Sequence, residues 1–203
     1  MKTRSLIFLI GFGFSFLFVP TASAQWTQKL TEQTSLINNI SVVDNNIIWI
    51  SDQDRKAVSI STDGGVSWTR NDLPAVMIEG STGGICAVSA TTAYMIVSMG
   101  QKGVYKTTDG AKNWTRQPTA FNNEGSFPDF VHFWNENEGI AVGDSYNGEC
   151  FEIYTTNNGG VQWNLVPDAN MPAGNGIATY NVNESYRVDG NTIYFKTNLG
   201  KIL

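Results

Sequence analysis

Two short acidic stretches hold the side chains best placed for chemistry in this 203-residue chain. Asp52 and Asp54 fall in Ser51-Asp52-Gln53-Asp54, and Asp144 and Glu149 bracket Asp144-Ser145-Tyr146-Asn147-Gly148-Glu149. Two carboxylates about 5–9 Å apart around a glycosidic bond would serve as acid and base or nucleophile. The oxygen-rich 144–149 loop would also suit calcium, although it lacks EF-hand spacing. The ordinary alternative for such residues is a solvated loop carboxylate. His132 is the single histidine. With no Ser-His-Asp or His-x-His spacing around it, it reads as a core or channel-lining residue rather than a general base. Trp134, with Phe121 and Phe127, offers aromatic surface for a sugar ring or a partner side chain, and packing between structural units accounts for them equally well. No phosphate-binding glycine loop, metal-ligand cluster or basic stripe accompanies them, so no cofactor is expected beyond that calcium.

The elements that must position these residues are marked by a turn that occurs three times. It reads Ser61-Thr62-Asp63-Gly64-Gly65-Val66-Ser67-Trp68, Thr107-Thr108-Asp109-Gly110-Ala111-Lys112-Asn113-Trp114 and Thr156-Asn157-Asn158-Gly159-Gly160-Val161-Gln162-Trp163, with the tryptophans 46 and 49 residues apart. A period of this size with short β segments between the marks predicts an all-β fold, a β-propeller of four-stranded antiparallel blades. The hydroxyl and carboxylate are suited to accept backbone N–H groups inside the turn, and the Trp to cover the blade. Ala111 in place of Gly65 or Gly160 would cost about 1 kcal/mol if that position needs positive φ. Asn158 in place of Asp63 or Asp109 keeps an acceptor but loses its charge.

Three strands precede each turn and one follows it. The blades are expected at 37–71, 83–117 and 128–166, with a fourth unit from 174 that opens with Ile177-Ala178-Thr179-Tyr180 and continues through Thr192–Lys196. That fourth unit stops at Leu203, before its own turn, so about three and a half blades are expected and the ring is incomplete. The chain is expected to be the front part of a longer protein.

Residues 1–24 read as a secretory leader: Lys2 and Arg4, an apolar run from Leu6 to Val19, then Ala22-Ser23-Ala24. Its removal would lower the formal net charge from −5 to −7. An acidic exported chain points away from nucleic acid, and no later segment is apolar enough to insert in a membrane. Cys86 and Cys150 fall at different distances ahead of their Trp residues, hence on different strands of neighbouring blades. Two buried thiols are expected rather than a disulfide.

The repeated S/T-x-D-x-G-x-x-W turn resembles the Asp-box, or BNR repeat, of sialidases, sortilin-type receptors and secreted bacterial propellers. Phe127–Trp134, Gly139–Asp144, Phe151–Thr156 and Asn191–Asn198 resemble exported BNR-repeat proteins of the Bacteroidetes, described as photosystem II assembly factor-like. That resemblance implies a propeller that continues, often into a type IX secretion sorting domain. A sialidase would need an Arg-Ile-Pro motif and three substrate-binding arginines. The motif is absent, and the leaderless chain has only Arg55, Arg70, Arg116 and Arg187, of which Arg70 and Arg116 follow the Trp on outer strands. The expected role is a secreted or cell-surface scaffold that binds a protein or glycan partner. The alternatives are a propeller glycosidase with part of its site in further blades, and a structural module carrying a sorting domain.

Overall fold

The computed structural model describes residues 36–52, 54–80, 82–146, 149–171, 186–197 and 202–203. They form three four-stranded antiparallel sheets and a fourth, two-stranded one. Blade one is β1 (Ile37–Val42), β2 (Ile48–Asp52), β3 (Ala57–Ser61) and β4 (Thr69–Asp72). The short helix α1 (Ala75–Glu79) leads to blade two, with β5 (Thr82–Ala87), β6 (Ala93–Val97), β7 (Gly103–Thr107) and β8 (Thr115–Arg116). Blade three is β9 (Phe127–Phe133), β10 (Gly139–Asp144), β11 (Glu152–Thr156) and β12 (Asn164–Leu165). Blade four contributes β13 (Tyr186–Asp189) and β14 (Thr192–Phe195), and Leu203 pairs with Phe195 through two backbone hydrogen bonds of 3.0 Å. The sheets follow one another without closing, an incomplete propeller.

The strand alternation explains why blades stack. Along β6, Ala93, Met95 and Val97 point into the core shared with blade one, while Tyr94 and Ile96 point into the core shared with blade three. Along β9, Val131 and Phe133 face blade two and Phe130 faces blade four, where it stacks on Tyr186 with ring centroids 4.5 Å apart. A strand covered on both faces reads as a continuous apolar run, and β6 is buried at every residue. Ile40 and Val42 of β1 are more than half exposed, whereas Ile85, Ala87, Val131 and Phe133, at the same register positions of the next two blades, are buried against the blade before them.

The three repeated turns share one hydrogen-bond pattern. The Ser61 hydroxyl donates to Asp63 Oδ1 (2.8 Å) and accepts the Gly65 N–H (2.7 Å), and Asp63 Oδ1 also accepts the N–H groups of Val66 and Ser67. Thr107 with Asp109 and Thr156 with Asn158 repeat the hydroxyl bridge at 2.9 and 3.0 Å. The next residue ties the turn to the first hairpin of its own blade, with Gly64, Gly110 and Gly159 N–H donating to the carbonyls of Asn46, Thr91 and Asn137. The turn also fastens blade to blade: Asn71 Nδ2 donates to Gly110 O, and Tyr94 Oη and Lys106 Nζ both donate to Gly159 O. The motif Trp residues flank the outer strands. Trp163 is buried edge-on to Phe133, while Trp68 and Trp114 are half-buried. All three indole N–H groups are buried without a hydrogen-bond partner among the described residues, so shape rather than polarity fills these positions.

Several strands differ from the sequence expectation. The outer strands β4, β8 and β12 start only after the Trp, because the turn engages the residues before it in side-chain-to-backbone bonds. Each of the three complete blades has a register irregularity near the start of its innermost strand, which sequence periodicity does not register. Helix α1 and strand β13 were not anticipated. The leader at 1–24 and the segment at 177–180 lie outside the described residues. Both cysteines are free, Cys86 buried and Cys150 half-buried rather than buried.

Gly160 has φ +82°, and a Cβ there would lie 3.0 Å from Gln117 Oε1 and 3.2 Å from Trp163 Nε1. Gly160→Ala should therefore cost about 1–2 kcal/mol. Ala111 occupies the equivalent place at φ +65°. Ala111→Gly relieves about 1 kcal/mol of left-handed strain but forfeits a buried methyl of similar worth, so its unfolding free energy from urea denaturation should stay within about 0.5 kcal/mol of wild type.

The Asp63 carboxyl is held down to about 2, first by the Ser67 hydroxyl and then by the Ser67 N–H, and Asp109 is held down to about 2, first by the Asn113 side chain. Their stabilising contribution is complete above the ordinary value of 3.8 and is lost as pH falls through the interval down to about 2. Urea midpoints measured from pH 4.5 to 2 should fall less steeply for an Asp63→Asn, Asp109→Asn double variant than for wild type.

Candidate functional site

One face of the propeller carries the repeated turns. The opposite face carries the connections from second to third strand, and the two expected acidic stretches lie there. Their carboxylates do not come together as a pair. Asp52 closes β2 of blade one and Asp144 closes β10 of blade three, with blade two between. Asp52 is buried, contrary to its reading as a solvated or ligand-facing carboxylate. Its Oδ1 accepts the N–H groups of Lys56 (2.8 Å) and Ala57 (3.3 Å), and Oδ2 lies 3.8 Å from the Arg70 guanidinium. That arrangement shapes the connection in which Arg55 takes φ +58°. Asp54 and Glu149 are exposed and Asp144 is half-buried. Among the described residues no three His, Cys, Asp or Glu side chains gather as metal ligands.

His132 and Trp134 lie on the innermost strand of blade three. His132 is half-buried, edge-on to Trp134 (5.1 Å) and to Tyr186 (5.7 Å), and burial lowers its pKa. Trp134 Nε1 donates to Gly190 O of blade four at 3.0 Å, so the ring serves as an inter-blade strut. The innermost strands β1, β5, β9 and β13 together line a channel cavity of about 330 Å3 whose wall includes Ser41, Cys86 and His132. These three residues share one register position in successive blades.

A larger cleft, about 530 Å3, opens on the face opposite the repeated turns. Helix α1 supplies Val76 and Glu79, the β6–β7 connection supplies Gly100, Gln101 and Lys102, β8 supplies Arg116, and the loop after it supplies Phe121 and Asn122. Pro74 opens the helix and Met77 sinks into the core between blades one and two, which leaves Val76 and Glu79 at the surface. Arg116 stands on an outer strand, as its place after Trp114 implies, but its side chain turns back along the blade. Nε donates to Lys102 O (2.7 Å) and Nη2 to Asn122 Oδ1 (3.0 Å), and Lys102 Nζ donates to Glu124 O. Phe121 is fully buried with φ +56°, a strained conformation for a bulky residue and one that concentrates at binding sites. The cleft is thus a charged, partly preorganised surface able to bind polar groups of both signs. The sequence signal for it was slight: a Pro followed by five helix-compatible residues, and a non-repeating stretch from Pro118 to Ser126.

A family model described as the DUF6242 beta propeller domain matches residues 21–198. The chain belongs to that family. Within the curated proteins, a xyloglucanase from Paenibacillus sp is 27% identical to the DUF6242 propeller over 124 residues, covering 61% of this chain and 11% of the relative. YCF48 from Cyanidioschyzon merolae superposes with a TM-score of 0.50 and 26% identity, over 70% of this chain and 43% of its own. YCF48 bound to D1 peptide gives a TM-score of 0.50 at 16% identity, over 66% and 40%. The computationally designed Ika4 protein gives 0.54 at 10% identity, over 89% and 97%. The chain therefore spans about a tenth of the curated relative's length and less than half of either YCF48 chain. The structural neighbours share its propeller fold.

The two thiols of the DUF6242 propeller should differ in reactivity. Burial pushes Cys86 up to about 11, against the lowering effect of the Phe133 N–H, and Cys150 is half-buried. Native protein with a thiol reagent at pH 8 should label Cys150 readily, while Cys86 should label only as the protein unfolds.

Proposed function

We propose that this chain is part of an exported scaffold that holds an extended protein segment in the cleft between helix α1 and the 118–126 loop. The observation that carries this reading is the cleft itself. Two elements that depart from the blade repeat, helix α1 and the 118–126 loop, border it, and it sets Arg116, Lys102, Gln101 and Asn122 around a pocket walled by strained backbone. Two cations with amide side chains suit the carbonyls and carboxylates of a bound chain. Among the described residues no exposed aromatic ring lines it to stack on a sugar, since Phe121 is fully buried. That a propeller of the same fold, YCF48, is solved with a D1 peptide shows that such a fold accommodates a peptide ligand. Export rests on the leader pattern at 1–24, and the Asp-box reading rests on the repeated S/T-x-D-x-G-x-x-W spacing. A sorting domain in further sequence would place the scaffold at the cell surface.

A glycan-binding reading has one observation in its favour, the 27% identity to part of a xyloglucanase. A single experiment separates the two. The leaderless chain is titrated by fluorescence polarisation with labelled acidic, neutral and basic peptides, and by calorimetry with xyloglucan oligosaccharides. Peptide binding is expected, strongest for the acidic set, and Arg116→Ala or Lys102→Ala should weaken it about tenfold or more while Trp134→Ala has little effect. Saccharide binding without peptide binding, or peptide binding indifferent to the cleft substitutions, would overturn the proposal.

A further inference from the structure

Counting back four residues from the turn hydroxyl reaches the first residue of each third strand: Ala57, Gly103 and Glu152. Blades one and two keep this place small. At Gly103 a Cβ would come within 3.1 Å of Arg116 Nε. Blade three instead puts a carboxylate there, with no exposed surface at all. A lone buried carboxylate is costly to a fold, and a repeat protein that departs from its own small residue to carry one gains something at that place.

The contacts of Glu152 show what is gained. Its Oε1 accepts the Tyr154 hydroxyl at 2.7 Å and the Asn123 Nδ2 at 3.2 Å, while Oε2 is buried with no hydrogen-bond partner among the described residues. Asn123 belongs to the loop that walls the cleft. Its neighbour Phe121, in the left-handed conformation, packs edge-on against Tyr154 with centroids 5.0 Å apart. Gly143 makes room for that ring, since a Cβ there would lie 2.7 Å from Phe121 Cε1. Between the two anchored residues, Asn122 donates to Pro118 O at 2.8 Å and accepts from Arg116 Nη2. The segment is therefore pinned from below at Phe121 and Asn123, and the residue between them meets the cleft arginine.

We infer that Glu152 is a positioning residue: through Asn123 and Tyr154 it latches the strained 118–126 loop onto blade three and so fixes Asn122 and Arg116 in the cleft. The inference deepens the proposed cleft function, yet its test needs no ligand. Amide hydrogen exchange is followed by mass spectrometry in the leaderless chain and its variants. Glu152→Ala, which installs the residue blade one has, should speed exchange across 119–126 by about tenfold, the factor set by one lost hydrogen bond, while peptides of β6 and β10 keep wild-type rates. Asn123→Ala removes the loop side of the latch without touching the blade and should have the same local effect. It also keeps the test decisive if Glu152→Ala fails to fold. Glu152→Gln, which keeps an acceptor for both donors, should restore most of the protection. Unchanged loop exchange in Asn123→Ala would overturn the latch, as would acceleration spread evenly over all blades. If the latch holds but no peptide binds, the cleft function fails alone.

Discussion

Every complete blade here is a sheet with two apolar faces, and neither face can be buried by the blade itself. This constraint organises the molecule. The second strands β2, β6 and β10 are almost wholly buried, β6 and β10 because a neighbouring blade covers each face, and the three hydrophobic clusters lie between blades rather than within them. Stability then grows with each added interface, as expected of repeat architectures. Polar bonds across the interfaces fix the angle at which the sheets meet. Trp49 Nε1 reaches Ser89 O, Ser41 Oγ accepts the Ala87 N–H, and Tyr94 stacks flat on Phe133 at 3.6 Å.

The repeated turn solves a second problem. The chain must reverse between the third and outer strands while leaving few backbone groups without partners. A hydroxyl and a carboxylate or amide two residues apart take up the orphaned N–H groups, and the left-handed residues let the chain close tightly. With its own groups satisfied, the turn has a carbonyl free to receive the preceding blade, at Gly110 from Asn71 and at Gly159 from Tyr94 and Lys106. One local motif therefore serves both the turn and the stacking. It tolerates Asn158 because the acceptor matters more than the charge, and Ala111 because its buried methyl offsets part of the strain.

Candidate function gathers where the repeat is broken. Helix α1 and the 118–126 loop have no counterpart that recurs at the blade period, and with the β6–β7 connection and Arg116 they make the cleft. Glu152 interrupts a small-residue position, and Phe121 holds a left-handed conformation packed against Tyr154. The acidic residues that first suggest chemistry divide differently. Asp52 is consumed in shaping a connection, and Asp144 stands two blades along from it. Trp134, which suggests a sugar platform, is committed to blade four through its indole N–H.

The sequence by itself determined the architecture. Hydroxyl, carboxylate, glycine and Trp spacings are local, so three copies of the turn fix where strands end, and alternation fixes which residues face a neighbour. The order of the strands within the three complete blades and the place of His132 on an innermost strand follow from the same register. Only the tertiary structure decided the site. Whether a carboxylate is solvated or buried, as at Asp52 and Glu152, depends on residues far along the chain that happen to cover it. The turn of Arg116 back toward Lys102 and the anchoring of Phe121 by Gly143 and Tyr154 are likewise contacts between segments that no local spacing relates. Propeller periodicity constrains what repeats, while helix α1 and the 118–126 loop, which do not repeat, border the cleft.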